Sequence, residues 1–201
     1  AKLVKVGRNR GDKTEIPDKD AADALLARLQ SAAYHVSSVK KRVTKRHPAP
    51  PFITSTLQQD ASYRLGFQSK RTMKVAQELY EGVEIDGLGA VGLITYMRTD
   101  SLRISTEAQQ AASDYVTEKY GKEFLPPEPR VYKSKKNAQD AHEAIRPSLP
   151  ELTPDRVKNS LTADQFKLYK LIWERFIASQ MADALMDTVS VEIEADGCIF
   201  K

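Results

Sequence analysis

The architecture of this protein follows from a run near the end of the chain, Thr188-Val189-Ser190-Val191-Glu192-Ile193-Glu194-Ala195-Asp196-Gly197-Cys198-Ile199-Phe200. Polar and apolar residues alternate from Thr188 to Glu194, which is the period of a strand with one buried face. Asp196-Gly197 favours the positive φ angles of a tight turn between two strands. We therefore predict a β-hairpin whose return strand is cut short, as expected of a piece of a longer protein.

Residues 1–47 predict a second strand-containing segment. Residues 2–6 alternate like a strand, and Asp18 can cap the helix that follows. The apolar face of that helix is predicted to consist of Ala21, Leu25, Leu26 and Leu29. A further strand is predicted from Tyr34 to Val43, and its apolar positions are Val36, Val39 and Val43.

A dense basic run ends this segment, Lys40-Lys41-Arg42-Val43-Thr44-Lys45-Arg46-His47. Such a run is either a solvated strand end or a surface that contacts phosphates, and the sequence leaves both interpretations open. The prolines of His47-Pro48-Ala49-Pro50-Pro51 cannot continue a helix or a central strand, so they predict a stiff linker.

The middle of the chain predicts helices. Ser55 and Gln58 have the spacing of a capping box, and Ser69 can cap a second helix that ends at Gly82. Because a short glycine-containing break joins these two helices, they match the helix-turn-helix pattern. A short strand is then predicted from Val91, Leu93 and Ile94.

Two longer helices complete the predicted middle segment. One runs over residues 106–119, and the other follows the capping box of Thr162 and Gln165. The apolar residues of the second helix recur every three or four positions, which indicates core packing rather than a ligand site. With strands at both ends and helices between, we predict an α+β fold in which a mainly helical domain is inserted into a smaller strand-containing domain.

Composition narrows the class of protein. The chain has 201 residues, of which 41% are apolar and 29% charged, and 31 basic against 27 acidic residues give a net charge of +4. This is a globular composition with a weak indication of nucleic-acid binding. A single cysteine, Cys198, excludes an intrachain disulfide and favours a reducing compartment. The longest uncharged apolar stretch, Gly87–Met97, is shorter than the roughly 20 residues of a membrane span, so we expect a soluble protein.

Two short motifs are better explained by structure than by ligand binding. Gly87-Leu88-Gly89-Ala90-Val91-Gly92 spells G-x-G-x-x-G, but the residues after it favour a strand, whereas a dinucleotide site needs a helix there. The acidic pair Asp18 and Asp20 lies at a predicted helix start, where carboxylates favour the helix dipole. No cysteines and histidines have zinc-site spacing.

The most informative segment is Gly92-Leu93-Ile94-Thr95-Tyr96-Met97-Arg98-Thr99-Asp100-Ser101. If this is a strand, Tyr96 and Arg98 share one face and Met97 lies on the other. A tyrosine phenol is about 0.1% ionised at pH 7, and a neighbouring guanidinium can favour the phenolate and bind a phosphate. The pair therefore suits phosphodiester transesterification, although the spacing alone favours a buried tyrosine beside a surface arginine.

This segment closely resembles the active-site segment of type IA DNA topoisomerases, and its Met97-Arg98 pair is most similar to the bacterial branch of that family. Three other blocks resemble the family in the same order along the chain: Pro51-Phe52-Ile53-Thr54-Ser55-Thr56-Leu57-Gln58-Gln59, Leu79-Tyr80-Glu81-Gly82 and Asp140-Ala141-His142-Glu143-Ala144-Ile145-Arg146-Pro147. The resemblance implies part of a toroidal enzyme, with a helical domain over 56–182 that carries the tyrosine. Residues 1–55 and 183–201 would then form a discontinuous hinge domain.

The resemblance also implies roles for individual residues. Tyr96 would be the nucleophile that cuts one DNA strand and becomes a 5′-phosphotyrosine, Arg98 would stabilise the attacked phosphate, and His142 would position or protonate groups there. The implied substrate-binding residues are Thr99, Asp100, Ser101 and Arg146.

The family's acidic Mg²⁺-binding domain, N-terminal in the family, has no counterpart in this sequence. The resemblance therefore implies an Mg²⁺ site outside this chain, no use of ATP, single-stranded DNA as the partner, and a bacterial cytoplasmic, nucleoid-associated location without membrane contact. We expect that this polypeptide alone relaxes no DNA.

Two alternatives remain at this point. The first is a winged-helix DNA-binding module without catalysis, whose second helix would contact phosphates through Lys70, Arg71 and Lys74. The second is another branch of the family, such as topoisomerase III or reverse gyrase, against which Met97 argues by resemblance.

Overall fold

A computed structural model describes residues 1–6, 16–133 and 142–201, and it divides the chain into two compact units. Unit 1 comprises Ala1–Arg46 and Leu185–Lys201, and unit 2 comprises His47–Ala184. The domain boundaries that the resemblance implies, at 55/56 and 182/183, differ from these, and the hinge and tyrosine-bearing roles of the two parts stay predictions. The described elements form an α+β fold.

Unit 1 is a four-stranded sheet with one described helix. In chain order its elements are β1 (Leu3–Val6), α1 (Lys19–Ser31), β2 (His35–Arg46), β5 (Ala184–Ala195) and β6 (Cys198–Phe200), and the strand order is β1-β6-β5-β2. The predicted hairpin is confirmed, because β5 and β6 are antiparallel and join through Asp196 and Gly197, with φ angles of 44° and 72°. Strand β5 begins at Ala184, earlier than the alternation predicts.

Helix α1 begins as predicted, since the Asp18 carboxylate accepts a 2.8 Å hydrogen bond from the Ala21 N–H. Its predicted apolar face is only partly right. Leu25 and Leu29 are buried against the sheet, whereas Leu26 is 56% exposed because it lies about 100° around the helix from Leu25. The strand predicted from Tyr34 to Val43 is confirmed as β2, and its apolar residues Val36, Val39 and Val43 are all exposed.

Unit 2 contains most of the helices. Its elements are α2 (Thr54–Leu65), α3 (Ser69–Glu81), β3 (Val83–Ile85), β4 (Gly89–Val91), α4 (Thr106–Lys119), α5 (Pro154–Val157) and α6 (Ala163–Ser179), with single 3-10 turns at Lys122–Phe124 and Lys158–Ser160. The core lies between these helices. Its largest fully buried side chains include Phe52, Leu57, Leu79, Tyr169, Ile172 and Phe176.

The helix starts show where local patterns succeed. The capping box of α6 is confirmed, because Thr162 Oγ1 accepts from the Gln165 N–H at 3.3 Å and Gln165 Oε1 accepts from the Thr162 N–H at 3.0 Å. The predicted box at Ser55 is wrong, because the cap of α2 is Ile53, two residues earlier, and the Ile53 N–H donates to Thr56 Oγ1. Helix α3 is preceded by Gln68 rather than capped by Ser69.

The strand predicted up to Tyr96 is replaced by a short hairpin and an irregular segment. Strands β3 and β4 pair with each other, and β4 ends at Val91. Beyond it, Ile94 makes a single bridge to Pro147. Among the described residues, no helix is both long enough and apolar enough to cross a membrane.

Candidate functional site

The backbone on the N-terminal side of Tyr96 is held by two distant parts of unit 2. The Leu93 N–H donates to the Leu79 carbonyl at the end of α3 at 2.8 Å. The Thr95 N–H donates to the Arg146 carbonyl at 3.0 Å, and the Thr95 hydroxyl donates to the Ala144 carbonyl at 2.7 Å. These bonds replace a strand ladder, and they bring residues 142–148 beside the tyrosine.

Burial orients the side chains of this segment. Leu93, Ile94 and Met97 are buried in the core, whereas Tyr96 is half-buried and only packs against the core. Buried side chains therefore anchor the segment on both sides of Tyr96. Tyr96 itself remains partly accessible.

Two rings contact that of Tyr96. The His142 ring lies with its centroid 5.1 Å away at an angle of 45°, and the Tyr80 ring lies 5.4 Å away at 65°, an edge-to-face arrangement. His142 is exposed. The structure thus brings together Tyr96 and His142, two of the residues identified from sequence, and adds Tyr80 at the end of α3.

Arg98 is exposed, whereas Arg146 is only partly exposed. Within the described ranges, none of the ion pairs involves Arg98. Asp100, two residues on, is also exposed. An exposed guanidinium without an internal carboxylate partner keeps its donors available for an external anion such as a phosphate.

Thr99 and Ser101 have local hydrogen-bonding roles. Thr99 Oγ1 accepts from the Ser101 N–H at 3.1 Å, and Ser101 Oγ accepts from the Arg103 N–H at 3.1 Å. Thr54 fixes the same turn, because its N–H donates to the Thr99 carbonyl at 2.9 Å. Since Thr99 is 8% and Ser101 0% exposed, the two residues shape the loop between Arg98 and α4.

Arg146 is neutralised inside the protein. Its Nε donates to Glu143 Oε2 at 2.7 Å, its Nη1 donates to the Pro147 carbonyl, and its side chain is 11% exposed. A second carboxylate affected by Arg146 is that of Glu107, in the first turn of α4. Hydrogen bonds from the backbone N–H of Glu107 and from the hydroxyl of Ser105 lower the pKa of Glu107, and the charge of Arg146 adds a smaller effect in the same direction. Through its bonds to Glu143 and to the Pro147 carbonyl, Arg146 stabilises the segment that carries His142.

The other sequence motifs have structural roles. Gly87 and Gly89 provide positive φ angles in the turn between β3 and β4, so the G-x-G-x-x-G run is a hairpin and not the start of a helix. Cys198 is buried in β6, as expected of a strand residue. In the part of the chain that the structure describes, no three His, Cys, Asp or Glu side chains converge as a metal site.

Comparison with known proteins identifies the family. The sequence profile of a family described as DNA topoisomerase matches residues 2–201, almost the whole chain. The chain is also 47% identical over 199 residues to DNA topoisomerase 1 of Xylella fastidiosa strain Temecula1, with 97% of this chain covered. This chain belongs to the bacterial type IA DNA topoisomerases.

Further similarities agree with this assignment. DNA topoisomerase 1 of Xylella fastidiosa strain 9a5c is 46% identical over 199 residues. The full-length topoisomerase I of Thermotoga maritima, solved in a monoclinic crystal form, superposes with a TM-score of 0.76 at 38% identity over 95% of this chain and 30% of its own. The chain spans 24% of the length of each Xylella relative.

The topoisomerase assignment does not favour a separate winged-helix module. The ion pairs made by side chains of α3 point in the same direction. Arg71 is paired with Asp164 through two hydrogen bonds of 2.7 and 2.8 Å, and Lys74 lies 4.0 Å from Glu78. Two of the three basic residues expected to contact DNA phosphates therefore have acidic partners within the protein.

Sequence reasoning missed three residues that build this site: Tyr80, Thr95 and Glu143. Tyr80 and Glu143 lie in blocks that resemble the family, so their positions were signalled without a role. Thr95 lies in the segment that resembles the family most closely, but no local pattern predicts its hydrogen bonds, because their acceptors lie about fifty residues further along the chain.

Proposed function

We propose that this chain supplies the tyrosine-bearing part of an enzyme that cuts and rejoins one strand of DNA to relax negative supercoils. Tyr96 is the proposed nucleophile. The observation that supports it best is the placement of a half-buried tyrosine against His142, two residues before an exposed arginine.

The proposed reaction exchanges one phosphate ester for another. The phenolic oxygen of Tyr96 attacks the phosphorus, the new O–P bond forms, and the bond from phosphorus to the 3′ oxygen breaks. The phenol gives up one proton and the released 3′ oxygen takes one up, so the DNA ends as a 5′-phosphotyrosine and a free 3′-hydroxyl. Because one ester bond replaces another, the 3′-hydroxyl can reverse the reaction without ATP.

The neighbouring residues have proposed supporting roles. Arg98 stabilises charge on the attacked phosphate, and His142 positions or passes a proton there. Asp100 is a proposed substrate-binding residue beside them. Arg146 acts through its hold on residues 142–148, and the substrate-binding roles implied for Thr99 and Ser101 are exercised through the shape of their loop.

The rest of the machinery lies outside the described residues by this proposal. Mg²⁺ bound to an acidic domain of the same polypeptide would offset negative charge at the scissile phosphate. Single-stranded DNA is the proposed substrate, with the helical part as the lid of a toroid and its first two helices in a helix-turn-helix arrangement. The proposed location is the bacterial cytoplasm, in association with the nucleoid.

The proposal is tested by trapping the covalent intermediate. This chain is mixed with the acidic domain of a relative, Mg²⁺ and a single-stranded oligonucleotide labelled at its 3′ end, because the label stays with the 5′-phosphotyrosine fragment. We expect a labelled adduct that survives denaturation and is absent with Tyr96→Phe. No adduct, or an adduct that persists in Tyr96→Phe, would contradict the proposal.

Two further results separate this proposal from binding alone. Supercoiled plasmid incubated with Mg²⁺ and this chain by itself should stay supercoiled, and relaxation would show that the active site is complete within the chain. Salt-sensitive duplex binding that is indifferent to Tyr96→Phe, without an adduct, would instead favour the winged-helix module.

A further inference from the structure

Tyr80 lies beside the proposed nucleophile without an assigned role. It occupies the last turn of α3, and its ring packs edge-to-face on Tyr96 with 5.4 Å between the centroids. Tyr80 is 40% exposed, so more than half of its surface is covered by other groups. The ring of Tyr96 is one of the groups that cover it.

Backbone contacts hold the end of α3 close to the segment that carries Tyr96. Next to Tyr80, the Leu79 carbonyl accepts from the Leu93 N–H at 2.8 Å, which joins the end of α3 to the segment leading to Tyr96. The Tyr80 carbonyl oxygen also approaches Gly92 so closely that a Cβ there would lie 2.8 Å from it. Only glycine permits this approach, so the end of α3 packs closely against the segment leading to Tyr96.

We propose that Tyr80 is a positioning residue that restricts the ring of Tyr96 to the orientation from which its oxygen attacks the phosphate. Aromatic rings that pack edge-to-face prefer a defined geometry, and a nucleophile that is held in line reacts faster than one that samples several rotamers. This inference rests on the function proposed above, because it assigns Tyr80 a task in that reaction.

The ring of Tyr80, and not its hydroxyl, carries this effect. Among the hydrogen bonds of the described residues, none involves the Tyr80 hydroxyl, whereas the ring makes the contact with Tyr96. A phenylalanine would therefore keep the geometry, and a leucine, which has no aromatic ring, would lose the edge-to-face contact.

The test compares Tyr80→Leu and Tyr80→Phe in a family-length protein that carries this chain. Single-turnover cleavage is measured with saturating 3′-labelled oligonucleotide, and the noncovalent Kd is measured without Mg²⁺. We expect Tyr80→Leu to slow cleavage about tenfold with a Kd within twofold of the wild type, and Tyr80→Phe to restore the rate to within about threefold. Tyr63→Leu, the same change at a tyrosine that is 90% exposed on α2, should alter neither value.

Several results would overturn the inference. An unchanged cleavage rate in Tyr80→Leu would show that Tyr96 needs no such support. A raised Kd with an unchanged rate would make Tyr80 a DNA-stacking residue, and a Tyr80→Phe variant as slow as Tyr80→Leu would assign the effect to the hydroxyl. Wild-type protein and Tyr96→Phe are run in parallel to separate the two proposals. If the wild type forms no adduct that depends on Tyr96, the proposed function itself is refuted.

Discussion

The two units of this protein differ most in how much of their apolar surface is buried. Unit 2 has an extensive core of aromatic and aliphatic side chains from α2, α3, α4 and α6. Among the described residues, the buried cluster of unit 1 has four members: Leu25, Leu29, Ala195 and Cys198. Strands β2 and β5 carry further apolar residues that are exposed, including Val36, Val39, Val43, Leu185 and Val189.

This difference in buried core indicates that unit 2 is the more rigid of the two units. Well-packed side chains have few alternative arrangements, so Tyr96, the proposed nucleophile, is held in place by the core of unit 2. A unit with a small core opens locally at a lower free energy. We therefore expect unit 1 to exchange and unfold more readily than the unit that carries Tyr96.

A matched pair of leucines tests this comparison. Leu168→Ala in α6 removes a fully buried side chain of unit 2, and Leu29→Ala in α1 removes one that is 8% exposed in unit 1. We expect losses of unfolding free energy of about 4–5 kcal/mol and about 2–3 kcal/mol respectively, because a large core collapses less around the cavity. Denaturant titration measures both values.

Hydrogen exchange shows whether the two cores are separate. Leu29→Ala should reduce protection in α1 and β6 while the amides of α6 keep theirs. Equal losses of protection in both units would show that they unfold as one, and the comparison would then fail.

A pair of glycines sharpens the comparison at the level of the backbone. Gly92→Ala in unit 2 places a Cβ against the Tyr80 carbonyl, so we expect a loss of about 1–3 kcal/mol and slower adduct formation. Gly197→Ala in unit 1 meets no atom within 4 Å, but its φ of 72° strains the alanine. Asparagine, which tolerates positive φ, should be accepted at 197 and not at 92. Equal tolerance of asparagine at both sites, by thermal unfolding, would refute the close approach at Gly92.

The ion pairs of Asp183, near the C-terminal end of unit 2, should have the smallest effect. Arg130 donates a hydrogen bond to the Asp183 carboxylate and His47 Nδ1 lies 2.9 Å from it, and these two partners, Arg130 foremost, lower the Asp183 pKa below its ordinary 3.8. A lowered folded-state pKa means that the carboxylate stabilises the fold above about pH 4, and that this contribution disappears as the pH falls through the folded-state pKa.

The variant Asp183→Asn tests that sign. It should unfold at a lower temperature than the wild type at pH 7, and the difference should shrink as the pH is lowered past 4. A difference that stays constant from pH 7 to pH 2 would show that the charge of Asp183 contributes nothing.

The features that could be predicted from sequence are those that local residues determine. The hairpin around Gly197 and the cap at Thr162 depend on residues within a few positions of one another, and both are confirmed. The backbone around Tyr96 could not be predicted in this way. Its alternation suggests a strand, but its hydrogen bonds go to Leu79 and Arg146, and contacts at such separation leave no local pattern.

The candidate site shows the same division. Tyr96, Arg98 and His142 were identified because their surrounding residues resemble a known family, and the contact between Tyr96 and His142 appears only in three dimensions. The exposure of individual side chains could not be predicted from residue type either. Val36, Val39 and Val43 have the composition of a core strand, but the described residues provide no layer that buries them.

The central claim is that the phenolic oxygen of Tyr96 becomes esterified to DNA, and mass spectrometry of the trapped adduct tests it most directly. The adduct is digested with nuclease and protease, and the modified peptide is sequenced. We predict a nucleotide linked through its 5′ phosphate to Tyr96. A nucleotide attached to any other residue, Tyr80 included, would contradict the account.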